Sequence, residues 1–147
     1  MRITIVIPKP NLSGGIRVVA IYAQRLAQRG HAVTIVSTPS SPTTLRRRIK
    51  NLLSVPWSDP KPTHVSHFDG VDVPHIVIDS SRPVMDADVP DGDVVIATWW
   101  ETAEWVAKLS PSKGAKVYFI QHHEVFDYLP IDRVKATWRL PLHKITI

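Results

Sequence analysis

At 147 residues, 44% of them hydrophobic, the chain has the size and apolar content of one domain with a single core. A formal net charge of +5 points modestly to an anionic partner, and the absence of cysteine excludes disulfides, thiolate catalysis and cysteine-based zinc sites while favouring a reducing compartment, the cytoplasm. No apolar run is long enough to span a bilayer, and the N-terminal run is strand-length and ends at a proline, unlike a signal peptide.

The first predicted element is Ile3-Thr4-Ile5-Val6-Ile7, a short apolar strand leading into Pro8-Lys9-Pro10-Asn11-Leu12-Ser13-Gly14-Gly15. A helix follows: Ile16, Val19, Ala20, Ala23, Leu26 and Ala27 recur at three- and four-residue steps, with Arg17, Gln24, Arg25, Gln28 and Arg29 elsewhere on its surface. Ser13 is the expected N-cap, although either glycine can take that place, and Gly30 is the expected left-handed stop. Residues 33–37 read as a second buried strand. Strand, glycine turn, helix and strand make a βαβ unit, which requires a parallel sheet and a right-handed crossover. The turn falls at the carboxyl end of the first strand, where open α/β sheets bind ligands. Glycines there admit a ligand close to the backbone, and a helix N-terminus favours an anion, so a phosphorylated ligand is expected.

Residues 38–62 carry five prolines and enclose a short predicted helix over 43–53, whose apolar edge is Leu45, Ile49, Leu52 and Leu53. Such an insertion is expected to be a surface excursion bordering a site. Residues 64–68 and 71–78 can pair as a hairpin around Asp69-Gly70; alternatively His75-Ile76-Val77-Ile78 supplies the next parallel strand. After a polar loop over 79–91 come a buried strand at 93–98, a helix at about 101–109 and a strand at 116–120 that runs into Gln121-His122-His123-Glu124. A helical stretch near 131–140 and a strand at 144–147 close the sequence. The expected fold is α/β, one Rossmann-like domain over 1–147 with an open, mostly parallel sheet and helices on both faces. A chain that stops inside a strand reads as the N-terminal part of a larger enzyme.

The segment Pro-x-x-x-Gly-Gly-Ile-Arg ending at Arg17, the helix end Arg29-Gly30-His31 and the strand Val33-Thr34-Ile35-Val36 resemble the N-terminal domain of family-4 glycosyltransferases with the GT-B fold. Residues 117–124 and 144–147 resemble a bacterial subgroup that includes rhamnosyltransferase-like enzymes. The resemblance covers essentially the whole chain. It implies two Rossmann-like domains facing across a cleft, the first receiving a saccharide or lipid-linked acceptor and the second, with the family's paired glutamates, gripping the nucleotide sugar. It also implies transfer with retention of configuration and no metal or other cofactor beyond the sugar-nucleotide donor.

Candidate site residues follow. Gly14 and Gly15 form either a plain capped turn or, as the resemblance implies, a donor-phosphate contact to which Arg17 adds charge; an exposed helix arginine is the plainer reading of Arg17. The segment lacks the glycine spacing of a dinucleotide fingerprint and the Lys-Ser/Thr of a P-loop. His122 aligns with a histidine the family places in its catalytic cleft, and strand alternation sends His123 to the opposite face. Glu124 is an acceptor contact or the start of a loop. Trp99, Trp100 and Glu101 follow another strand end, where tryptophan faces and a carboxylate suit a sugar, unless one tryptophan is core and the other a helix-entry anchor. Glu101 and Glu104 would form a glycosidase pair only at a suitable separation.

Arg46, Arg47, Arg48 and Lys50 form the densest basic patch: a solvated helix face, or a peripheral contact with the anionic inner face of a membrane or a lipid-linked acceptor. No recognised motif accompanies it, so nucleic acid is not expected as a partner. The competing functions are a non-catalytic Rossmann-like binding module and another GT-B enzyme such as a sugar-nucleotide epimerase. A receiver domain is disfavoured because Pro8-Lys9-Pro10 stands where its acidic cluster would lie.

Overall fold

Residues 1–40 and 66–147 are described by a computed structural model. The apolar runs form six strands, β1 (Arg2–Ile7), β2 (Ala32–Ser37), β3 (His75–Val77), β4 (Val94–Ala97), β5 (Ala115–Ile120) and β6 (His143–Thr146). Among the described residues three α-helices connect them: α1 (Gly14–Gln28), α2 (Trp100–Ala107) and α3 (Ile131–Thr137). The strands lie in the order β3-β2-β1-β4-β5-β6 and every neighbouring pair is parallel. This is a Rossmann-like open α/β fold, as the sequence leads one to expect, with the runs beginning near residues 3, 33, 94 and 117 side by side.

Why the sheet forms this way is written in β1. Ile3 to Ile7 are all buried, the signature of a strand covered on both faces. Ile3, Ile5 and Ile7 point towards α1 and pack with Val33 and Ile35 of β2 and with Ile16, Val19, Ala20 and Ala23 of the helix. Val6 points the other way, into a second cluster with Val36, Val95, Ala97, Tyr118 and the α2 residues Ala103 and Val106. Each fully buried aliphatic side chain of this kind contributes about 1.5–3 kcal/mol of transfer free energy. On the α1 side, Tyr22, Leu26, Phe119 and Ile145 line an apolar hollow of about 300 Å³ over β4–β6.

The predicted caps of α1 form: the Ile16 N–H donates to Ser13 Oγ (3.4 Å), and Gly30 has φ +85°. The hairpin alternative does not form. Residues 67–70 make a turn in which the Val71 N–H donates to the Phe68 carbonyl (3.1 Å), while the Asp69 carboxylate accepts from the Ser66 N–H (2.8 Å). Phe68 is buried against the α1-side cluster, and His75–Val77 instead joins β2 in parallel. The physical reason is that β2 offers a free hydrogen-bonding edge, and β3 satisfies it; the Ser37 hydroxyl and His75 Nε2, 2.8 Å apart, reinforce the pair. The predicted helix over 43–53, the basic patch Arg46, Arg47, Arg48 and Lys50, and residues 64–65 of the hairpin lie outside the described residues.

Helix α2 begins at Trp100 because Thr102 folds back on the preceding turn. Its Oγ1 accepts from the N–H groups of Thr98 and Trp99 (both 2.9 Å) and donates to the Trp99 carbonyl (2.8 Å). Helix α3 stops at Thr137, short of the predicted 140, ahead of Pro141, which disfavours helical backbone in the residue before it. No helix among the described residues is long and apolar enough to cross a membrane.

Candidate functional site

After β1 the chain crosses to β2 on one side; after β4 it crosses to β5 on the other. The two loops diverge and leave a crevice at the carboxyl ends of these central strands, the topological switch point of an open α/β sheet. A cleft of about 370 Å³ occupies this place. Pro8, Asn11, Ser13, Gly15 and Ile16 line it from the β1–α1 turn, and Thr98 and Trp99 from the end of β4. Gln121, His122, Glu124, Phe126 and Tyr128 line it from the segment after β5.

On the first wall, the Asn11 carboxamide oxygen accepts from the Ser13 N–H (2.8 Å), tightening the approach to α1. Gly15 lies against the Gln121 side chain: a Cβ there would stand 3.6 Å from Gln121 Oε1. Gly14 faces open space. Arg17 is exposed on α1 and does not line the cleft.

The second wall separates the two tryptophans. Trp99 borders the cleft, whereas Trp100 is 5% exposed and belongs to the packing between α2 and α3, with the Arg133 guanidinium 4.9 Å from its ring centroid. The helical turn that starts at Trp100 rotates its ring away from Trp99. Glu101 faces a neighbouring hollow with Lys9, Arg82 and Arg133. Glu104 is held by Arg133 through two hydrogen bonds (3.0 and 2.6 Å), so it serves as an α2–α3 clasp.

The third wall is the most chemically loaded. Glu124 is 1% exposed, and its Oε2 accepts from the Trp100 N–H at the start of α2 (2.9 Å) and from the Tyr118 hydroxyl (3.0 Å). Burial pushes this carboxyl up to about 7, against the pull of its two donors, and burial with the Glu124 charge raises the Tyr118 hydroxyl well above its ordinary value. His122 is exposed and stacks on Phe126 (5.1 Å between ring centroids, 14° between planes), and Phe126 stacks on Tyr128 (5.4 Å, 13°). His123 stacks instead on Trp138 (5.1 Å); β5 ends at Ile120, so strand alternation does not extend to the two histidines, and both border a second hollow beside β6.

Gly15, Trp99, His122 and Glu124 are thus brought together at one cleft; Arg17, Trp100 and Glu101 are not. Asn11, Thr98, Gln121, Phe126 and Tyr128 also line it, and the Tyr118–Glu124 contact underlies it; sequence reading singled out none of these. Gln121 lay within the quoted Gln-His-His-Glu segment, but the residues past 124 have no periodicity that would announce a ring stack. Among the described residues, no group of three His, Asp or Glu side chains is arranged to hold a metal ion. The arrangement offers ring faces, hydroxyl-binding side chains and a carboxyl that exchanges a proton near neutrality. Fold and geometry define a Rossmann-like α/β domain with a cleft at its switch point. Compared with known proteins, the chain matches no protein-family model and no curated protein.

Proposed function

We propose that this chain is the acceptor-side domain of a GT-B glycosyltransferase, moving a sugar with retention from a nucleotide-sugar donor to a saccharide or lipid-linked acceptor. One observation carries the reading: the glycine turn, Trp99, His122 and Glu124, remote in sequence, line a single cleft at the switch point. In this reading the cleft orients the acceptor, the exposed His122 hydrogen-bonds at the reacting centre, and the α1 N-terminus faces the departing diphosphate. The donor grip falls to a second domain, so residues 1–147 alone are expected to transfer nothing and to bind nucleotide sugars weakly. The test is release of nucleoside diphosphate from a panel of nucleotide sugars by the full-length protein, with His122→Ala as control. Absence of turnover with every donor would overturn the reading.

A second reading, a binding module without turnover, is favoured by a different observation. No Lys or Arg is among the described residues that line the cleft, so a departing diphosphate would find its neutralising cations elsewhere. Transfer by the full-length protein would exclude it.

A further inference from the structure

We propose that Tyr128, held by its stack on Phe126 and His122, forms with Gln121 a seat for an uncharged sugar ring, in which the exposed Tyr128 face takes the ring's C–H face and the Gln121 carboxamide pairs with a hydroxyl. The inference rests on the transferase reading only in treating that ring as the acceptor; the seat itself is a statement about binding.

Three observations converge. The first is the row itself. Two successive near-parallel stacks, 14° and 13° between planes, align the three rings along one side of the cleft. The row ends on Tyr128, which is 77% exposed, although a tyrosine ring ordinarily buries most of its apolar area. In a stack each ring turns a face to its neighbour, so the outer face of the exposed Tyr128 at the end of the row is the flat apolar platform, held in place by the rings behind it.

The second is an unpaired acceptor. Gln121 Oε1 is buried and has no hydrogen-bond partner, although it lies beside Gly15 at the cleft wall. Burying a carbonyl oxygen without a donor is costly, and a turn of the Gln121 side chain towards the cleft would let a ligand O–H donate to it. A carboxamide offers both a donor and an acceptor, so it suits hydroxyl groups, which do the same.

The third is charge. Among the described residues lining the cleft there is no Lys or Arg, and Glu124 is a carboxyl without a cation of its own. A phosphorylated ring would meet no Lys or Arg along the aromatic side of the cleft, with only the α1 N-terminus on the opposite wall to answer its charge, whereas a neutral polyol needs no counter-charge. A volume of about 370 Å³ is large enough for a small saccharide. A nucleobase would also stack on the row, and the experiment separates the two.

The experiment is ligand- and protein-detected NMR on this chain with methyl α-D-glucopyranoside, methyl α-D-mannopyranoside and methyl β-D-galactopyranoside, beside glucose 6-phosphate and adenosine. At least one neutral pyranoside is expected to receive saturation on its ring protons and to shift the Gln121 side-chain amide. Tyr128→Ala should weaken that binding about fivefold or more, while Tyr128→Phe should stay within about twofold, because the ring face and not the hydroxyl is used. Glucose 6-phosphate should bind no tighter than the glucoside. Binding that ignores Tyr128→Ala, tighter binding of the phosphate, stronger stacking of adenosine, or no pyranoside binding at all would each overturn the seat. Transfer is scored separately on the full-length protein. Pyranoside binding without transfer would leave the seat and remove the acceptor role; transfer that persists with Tyr128→Ala and no ring binding would do the reverse.

Discussion

Glu124 carries a titratable group where water hardly reaches, and folding must answer for it. Its carboxyl is raised to about 7 from an ordinary 4.5, so between those values the folded protein holds more protons than the unfolded chain. Stability therefore falls as pH rises through that window and levels off above it. Glu124→Gln keeps an acceptor oxygen for the Trp100 N–H and the Tyr118 hydroxyl but carries no charge. It is expected to be more stable than the native chain at about pH 8, by roughly 2–3 kcal/mol, with the advantage vanishing near pH 4. Urea titrations at the two pH values check this; an equal difference at both would show that charge is not the cause. Two glycines make a contrasting pair. Gly114 has φ +93° and a Cβ there would stand 2.3 Å from the Asp93 carbonyl carbon, so Gly114→Ala should cost more than about 3 kcal/mol, read as a shifted unfolding midpoint. Gly15 has no positive φ and room for a methyl group. Gly15→Ala should leave the melting temperature unchanged and, under the proposed transferase reading, lower turnover of the full-length protein at least tenfold, about 1.4 kcal/mol, by holding the donor phosphate away. Full activity in that variant would reduce the turn to chain geometry.

At the scale of elements, α2 shows how a functional loop is held by one side chain. Thr102 is fully buried and accepts two backbone N–H groups that otherwise have no helical partner. Thr102→Val keeps the shape and removes the acceptor, leaving the Thr98 and Trp99 amides unsatisfied. The expected cost is about 2–4 kcal/mol in equilibrium unfolding, with weaker ligand binding because Trp99 is released from the cleft wall. A loss below about 0.5 kcal/mol would mean that water replaces the hydroxyl. Helix existence was legible from periodicity in α1, where the apolar positions recur at the helical period, and the helices near 101–109 and 131–140 were expected as well. The start of α2 and the end of α3 were not, because a threonine folding back and a proline-directed stop act within one or two residues.

Across the whole molecule, the gradient of burial from the middle of the sheet to its edges sets the order of local stability. β1 and β4 have strand neighbours on both sides and core on both faces, whereas all four residues of β6 are exposed and β3 spans three residues at the opposite edge. Amide hydrogen exchange should be slowest in β1 and β4 and fastest in β3 and β6. Uniform protection across the sheet would contradict this.

By itself the sequence determined the class of fold. Runs such as Ile3–Ile7 and Val33–Ser37, joined by an amphipathic helix after a glycine turn, admit a parallel sheet because buried strands need both faces covered and parallel strands need crossovers. It also pointed to Gly14, Gly15, Arg17, Trp99, Trp100, Glu101, His122 and Glu124, of which Gly15, Trp99, His122 and Glu124 line the cleft. Only the tertiary structure decided which tryptophan faces the cleft, that Glu124 is buried against Tyr118 and the α2 amide, that 75–77 joins β2 in parallel, and that Phe126 and Tyr128 extend a ring stack from His122. Periodicity reports which face of an element is apolar. It carries no record of which distant groups will remove the water around a given side chain, and that desolvation is what sets the chemistry of the cleft.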